Sequence, residues 1–113
     1  MNPWTYYLSG LNEEARAIVE HVLGTAMKIA PQAEPAMPYG VPGLKLNGKP
    51  LIAVAAHKHH YGVYPFSPDV IKGLKPWLGE LETAEGTIRF PYGTKPPQRL
   101  IKEMLKLRTK EIS

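Results

Sequence analysis

There is no cysteine among the 113 residues of this chain. Disulfides, thiolate metal sites and cysteine nucleophiles are therefore excluded together, and the composition suits a reducing cytoplasm. No run of about 18 apolar residues occurs, so no membrane-spanning helix is expected. Trp4, Tyr6 and Tyr7 stand near the start without a basic stretch, so no secretory leader is expected either. Serine is scarce. Apart from the terminal Ser113 there are only Ser9 and Ser67, and neither lies in a nucleophile motif. A phosphate-cradling glycine loop and a carboxylate pair placed for acid–base work are also missing. With no positive sign of catalysis, the chain reads as a binding domain rather than an enzyme. A chain of this length forms one domain around one core. The net charge of +4 makes an anion a conceivable ligand, but the excess is modest.

What is present is periodic. Leu11, Ala15, Ile18, Val19, Val22, Leu23, Ala26 and Ile29 recur at helical spacing. Asn12 is positioned to cap that helix, Glu13 and Glu14 suit its positive end, and Pro31 stops it. Pro3 to Leu8 reads as a short separate helical turn. Ala36 to Val41 and Leu44 to Leu46 read as short strands, and Asn47-Gly48 is a strong signal for a type I′ hairpin turn. Leu51 to Ala56 is apolar on both faces, as a strand covered on both sides would be. Tyr61 to Tyr64 returns antiparallel to it. Ser67-Pro68-Asp69 opens a helix carrying Val70, Ile71, Leu74, Trp77, Leu78 and Leu81, which Pro76 should kink or divide. Glu80, Glu82 and Glu85 read as a solvated helix end and a turn over Thr83 to Gly86. Thr87 to Phe90 reads as a last strand, and Pro96-Pro97 leads into a final helix ending near Thr109. The order predicts an α+β fold, an antiparallel sheet of about five short strands flanked by helices.

The densest chemistry lies between Met37 and Pro65. With Lys58-His59 at a hairpin tip, His57 faces His60, Ala55 faces Gly62 and Ala53 faces Tyr64. Alternation then puts these six on one face, with Ile52, Val54, Ala56, Tyr61 and Val63 on the other. The second set is an ordinary core face. On the first, very small residues stand beside a tyrosine and two histidines. That face either receives a closely packed helix or keeps a groove. In the groove reading, Tyr39, Tyr64 and Phe90 wall a ligand site. Lys58, His60 and Arg89 then supply polar and cationic groups for a small molecule or anion. His57 and His60 on adjacent strands are also a candidate metal pair, though such a site needs a third or fourth ligand. Arg99, Lys102, Lys106 and Lys110 form a basic stripe on the last helix. Glu103 and Glu111 interrupt it, and without a recognition motif a solvated face is favoured over nucleic acid, which leaves a module presenting its sheet or this helix to a protein or nucleic acid as a further alternative.

Taken together, Ala30-Pro31, Tyr39-Gly40-Val41-Pro42, Asn47 through Leu51, Ala55 through Pro65 and Gly86 through Pro91 carry a resemblance over nearly the whole chain. It is similar to the YdhG-like family, small bacterial domains of largely unknown function that are often labelled iron chaperones. The resemblance implies a frataxin-related sheet flanked by helices. It also implies that Tyr39, Pro42, Lys58, Gly62, Tyr64 and Phe90 occupy shared motif positions. The iron label implies iron as cargo, iron-receiving proteins as partners, and Glu13, Glu14, Glu20 or the His57–His60 loop as ligands. Two departures stand against a direct transfer. Members carry a lysine before the glycine of the late strand, where this chain has Glu85. Frataxins present a strongly acidic helix, whereas Glu13, Glu14 and Glu20 are here diluted by Arg16, His21 and Lys28. Hard iron favours clustered carboxylate oxygens.

Overall fold

The computed structural model describes residues 2–84 and 86–113. Caps and periodicity set its helices. After a short helix α1 (Thr5–Ser9), Asn12 starts α2 (Glu13–Ile29) by accepting the Ala15 N–H at 2.8 Å. This satisfies one of the four free amides at the helix start. Ser67 does the same for α3 (Pro68–Leu78), accepting from Val70 N–H at 3.3 Å with Pro68 at the first helical position. Helix α3 runs through Pro76 without dividing. The carbonyl that Pro76 leaves unbonded belongs to exposed Lys72, where water can serve it. The last helix, α4 (Gln98–Ile112), extends three residues beyond the boundary expected near Thr109.

Six strands form one antiparallel sheet: β1 (Glu34–Ala36), β2 (Gly43–Leu46), β3 (Lys49–Ala56), β4 (His60–Tyr64), β5 (Glu82–Ala84) and β6 (Thr87–Pro91). Their spatial order is β1-β2-β3-β4-β6-β5. The extra strand relative to expectation is β5, an edge strand with all three residues exposed. Its sequence, Glu-Thr-Ala, carries no apolar alternation that would announce it. The expected strand over Ala36 to Val41 is also corrected. Strand β1 ends at Ala36, and Pro38–Gly40 forms a tight 3₁₀ turn. Asn47 (φ 53°) and Gly48 (φ 77°) both take the positive φ of a type I′ hairpin turn.

The central pairing follows the expected register, with Ala53 opposite Tyr64, Val54 opposite Val63, Ala55 opposite Gly62 and Ala56 opposite Tyr61. A bulge in β3 at Leu51, where Leu44 pairs Ile52 and Lys45 pairs Pro50, lets both Leu51 and Ile52 enter the core. The core lies between one face of the sheet and helices α2, α3 and α4. It gathers Ile52, Val54, Tyr61, Val63, Ile88 and Phe90 with Val19, Leu23, Leu74, Leu100, Ile101 and Met104. Helices α3 and α4 approach closely at Gly73, where a side chain would meet Leu107 at 2.9 Å. Trp4 adds to this core, and its indole N–H donates to the carbonyls of Ala36 and Gly43, each at 3.0 Å. Tyr7 Oη accepts the Ala56 N–H at 3.0 Å, so the segment around α1 ties down β3 beyond the end of β2.

Candidate aromatic cleft

Among the described residues the long helices α2, α3 and α4 all pack on the core face, not on the second face of the sheet. Cross-strand partners share a face, so the registers place Gly43, Ala53, Ala55, His60, Gly62, Tyr64, Thr87, Arg89, Glu82 and Ala84 together there. The small residues are covered by two local elements instead of a helix. Pro38 reaches over Gly43, where a Cβ would meet Pro38 Cδ at 3.0 Å, Ala53 Cβ at 2.9 Å and the Ile52 carbonyl at 2.5 Å. The far edge of the Tyr64 ring lies over Gly62, where a Cβ would meet Tyr64 Cε1 and the Thr87 methyl at 3.2 Å. Missing side-chain volume is thus filled partly by prolyl and tyrosyl rings.

Beside these rings a cleft of about 430 Å³ remains, lined by Pro38, Tyr39, Val41, Tyr64, Phe66, Pro68, Gly86 and Thr87. That volume falls within the range of about 300–1,000 Å³ typical of small-molecule sites. The Tyr39 and Phe66 rings stack at its margin, with centroids 5.7 Å apart and planes at 30°. Both residues have left-handed backbones, Tyr39 at φ 53° and Phe66 at φ 62°. For bulky side chains this is a true outlier. Local geometry explains each. The chain reverses from Pro38 to Val41, whose N–H donates to the Pro38 carbonyl at 3.2 Å. Tyr39 and Gly40 (φ 81°) are the central residues of that primed turn, so tyrosine holds a place that asparagine usually fills. At Phe66 the neighbours leave little choice. Proline fixes φ at Pro65, and Ser67 must be extended both as a cap and as the residue before Pro68. The reversal between β4 and α3 therefore falls on Phe66.

A second hollow lies toward the other end of the same face, lined by His59, His60, Glu80, Leu81, Glu82, Arg89, Phe90 and Pro91. Arg89 approaches Glu82 at 3.6 Å with both side chains largely exposed. His57 and His60 close the β3–β4 hairpin through His57 N–H to the His60 carbonyl at 2.9 Å, leaving Lys58-His59 at the tip. Their imidazoles stack at 4.8 Å and 27°. Partial burial, then the charges of His60 and Arg89, hold the His57 imidazole below its ordinary range. Tyr92 Oη donates to the His57 carbonyl at 2.7 Å and thereby anchors the hairpin.

The structure brings together only part of the expected site. Tyr39 and Tyr64 share the aromatic cleft. His60 and Arg89 share the second hollow. Lys58 sits exposed at the hairpin tip and lines neither, so its place gives no support to a charge-neutralising role. Phe90 borders the second hollow, but its ring is no cleft wall, and that expectation is corrected. Alternation along β6 turns it away from Arg89 into the core, where it is 1 % exposed and stacks on Tyr61 at 5.3 Å. Phe66 was not anticipated, although an aromatic between two prolines beside a cap was a visible signal. The expected departure at Glu85 lies outside the described residues.

The proposed iron ligands do not assemble. Glu13 and Glu14 occupy the first turn of α2, and Glu14 faces a separate hollow with Tyr92, Gly93 and Lys95. Among the described residues no three of His, Asp and Glu gather as a metal site would require. The stacked His57 and His60 rings face one another, so their in-plane nitrogen lone pairs do not converge on one point. This donor set does not fit a hard cation.

The arrangement is that of an open α+β sandwich with a ring-lined cleft on the sheet face opposite the core. No protein-family profile matches the chain, and no curated protein matches it. Among solved structures it is similar to YdhG of Bacillus subtilis, a DUF1801-family protein, with a TM-score of 0.86. The alignment covers 96 % of this chain and 89 % of that one at 20 % identity, so the likeness is one of fold. The sandwich therefore has the YdhG architecture that the sequence resemblance implied. Nothing in that likeness carries iron handling to this chain. Among the described residues no helix is long and apolar enough to cross a membrane.

Proposed function

We propose that this chain is a non-enzymatic binding domain whose cleft takes a small, flat, ring-bearing molecule. One observation carries the reading. Tyr39 and Phe66 both adopt a backbone that costs bulky residues roughly 1–2 kcal/mol, and their rings stack at the margin of an apolar cleft. Tyr39 is 86 % exposed, so burial of its ring does little for the core. Strain held at a surface pocket is a reason to look for binding there. Prolines and Val41 supply apolar walls, and the Thr87 and tyrosine hydroxyls supply a few hydrogen-bonding groups, as such sites usually combine. Among the described residues the lining holds no carboxylate, imidazole or cation that could act as acid, base or nucleophile activator.

The test is a titration with naphthylethanol, a neutral ring probe, followed by amide NMR. Saturable shifts confined to the segments around Tyr39, Tyr64, Phe66 and Thr87 are expected. Shifts scattered over the surface, or none up to the solubility of the probe, would dismiss the cleft as a binding site.

A further inference from the structure

Resting on the small-molecule reading above, we infer that the ligand is a ring compound bearing a carboxylate, whose charged end reaches Arg89 while its ring occupies the aromatic cleft. The two hollows are neighbours on one sheet face. Thr87 lines the cleft, and Arg89 stands two residues further along the same strand and face, a separation of about 6.6 Å. Gly62 is the partner of Arg89 in the β4–β6 pairing, and only the Tyr64 ring edge and the Thr87 methyl lie over it, so the step between the two hollows is low. The phenol end of Tyr64 lies over that glycine, at the strand position facing Arg89.

Three solvent-accessible polar groups along this path make no hydrogen bond among the described residues: the Arg89 guanidinium, the Tyr64 hydroxyl and the His60 imidazole. Arg16 and Arg108 differ. Arg16 donates to the carbonyls of Leu8 and Leu11, and Arg108 donates to the Pro50 carbonyl and to Glu111. Among the described residues Arg89 has only Glu82 Oε2 at 3.6 Å, beyond hydrogen-bond length, with the two side chains 47 % and 77 % exposed. Such a pair is weak and easily exchanged. Glu82 shows that a carboxylate can approach the guanidinium from this face, and the planar fork of arginine matches a carboxylate in two-point contact. Glu80 and Glu82 line the same hollow and would repel a dianionic phosphate more than a single carboxylate.

The experiment compares naphthylethanol, naphthylacetate and naphthyl phosphate by amide NMR titration against the intact chain, Arg89→Gln and Glu82→Gln. The acetate is expected to bind about fivefold tighter than the alcohol, the scale of one exposed ion pair. In Arg89→Gln the two affinities should become equal, with alcohol binding unchanged. In Glu82→Gln the preference for the acetate should grow. Equal affinity of acetate and alcohol for the intact chain would overturn the carboxylate inference and leave the ring cleft standing. A preference that survives Arg89→Gln, or tighter binding of the phosphate than of the acetate, would overturn it as well. If none of the three probes binds, the ring cleft falls, and this inference with it.

Discussion

Replacing Tyr39 with asparagine separates a structural role from a binding role, because the two make opposite predictions. Tyr39 has φ 53° and ψ 30°, a conformation that asparagine adopts far more readily than an aromatic residue. The substitution should recover about 1 kcal/mol of backbone strain. Against this stands the loss of the Phe66 stack, about 0.5 kcal/mol for so exposed a ring. Burial is a minor loss, since the side chain is already 86 % exposed. The net change should therefore lie between zero and a gain of about 0.5 kcal/mol, a rise in melting temperature of no more than roughly 4 °C. Affinity for naphthylethanol should fall about fivefold, equivalent to about 1 kcal/mol of ring stacking. Thermal and urea unfolding measure the first quantity, and the NMR titration measures the second. A loss of stability greater than about 1 kcal/mol would show that the aromatic turn is part of the fold. Unchanged stability with unchanged probe affinity would refute the reasoning from strain to binding.

Two glycines on the same face should respond differently to alanine. At Gly43 the new Cβ would meet the Ile52 carbonyl at 2.5 Å, backbone that cannot yield, and a cost of about 3 kcal/mol in urea unfolding is expected. At Gly62 the neighbours are the Tyr64 ring and the Thr87 methyl at 3.2 Å, so unfolding should change by less than about 1 kcal/mol while probe binding changes as Tyr64 moves; equal costs at the two sites would contradict this packing. Ser67→Ala removes both the Val70 cap and the 2.7 Å bond to Glu111, and should lower stability by about 1–2 kcal/mol in the same assay. The His57 pKa is lowered in the folded chain by partial burial and then by His60 and Arg89. The unfolded chain therefore binds this proton more readily. The resulting stability is present above the ordinary value near 6.5 and is lost as pH falls from there through the lowered folded pKa. His60→Gln should raise the His57 pKa in an NMR titration of the imidazole, and an unchanged value would remove His60 as a cause.

Much of the frame was legible because it rests on local rules with one dominant answer. Asn12 and Ser67 announced their helices as caps, and Asn47-Gly48 announced its turn. The β3–β4 register followed from placing Lys58-His59 at the hairpin tip, and alternation then assigned Val54 and Val63 to the core face. Strand β5 was not legible, because Glu82, Thr83 and Ala84 are all exposed and form a strand by pairing to β6 at the sheet edge. The strand expected over Ala36 to Val41 failed because Tyr39 and Gly40 turn the chain, and tyrosine is a residue that no propensity places in a left-handed turn. Phe90 was misplaced for a different reason. An aromatic in a motif looks the same whether it faces a ligand or the core, and only the parity of β6 against β4 decides.

Tyr39, Tyr64 and Arg89 were named from the sequence and Phe66 was not, but the directions of the two turn residues were not legible, for a reason that bears on what the site is. Tyr64 and Arg89 lie on strands, where alternation assigns a face once the register is known. Tyr39 and Phe66 lie in turns whose direction depends on neighbours rather than on their own preferences. Phe66 bends because Pro65 is fixed in φ and Ser67 must stay extended before Pro68. A chain indifferent to the ring at this position could place glycine or asparagine there and lose the strain. Keeping phenylalanine at 66 and tyrosine at 39 leaves two strained residues stacked 5.7 Å apart. Neither deviation is required by the hydrophobic core, which gathers on the opposite face of the sheet. The two strains have in common the cleft their rings border, and this gives the binding reading its weight beyond the presence of a pocket.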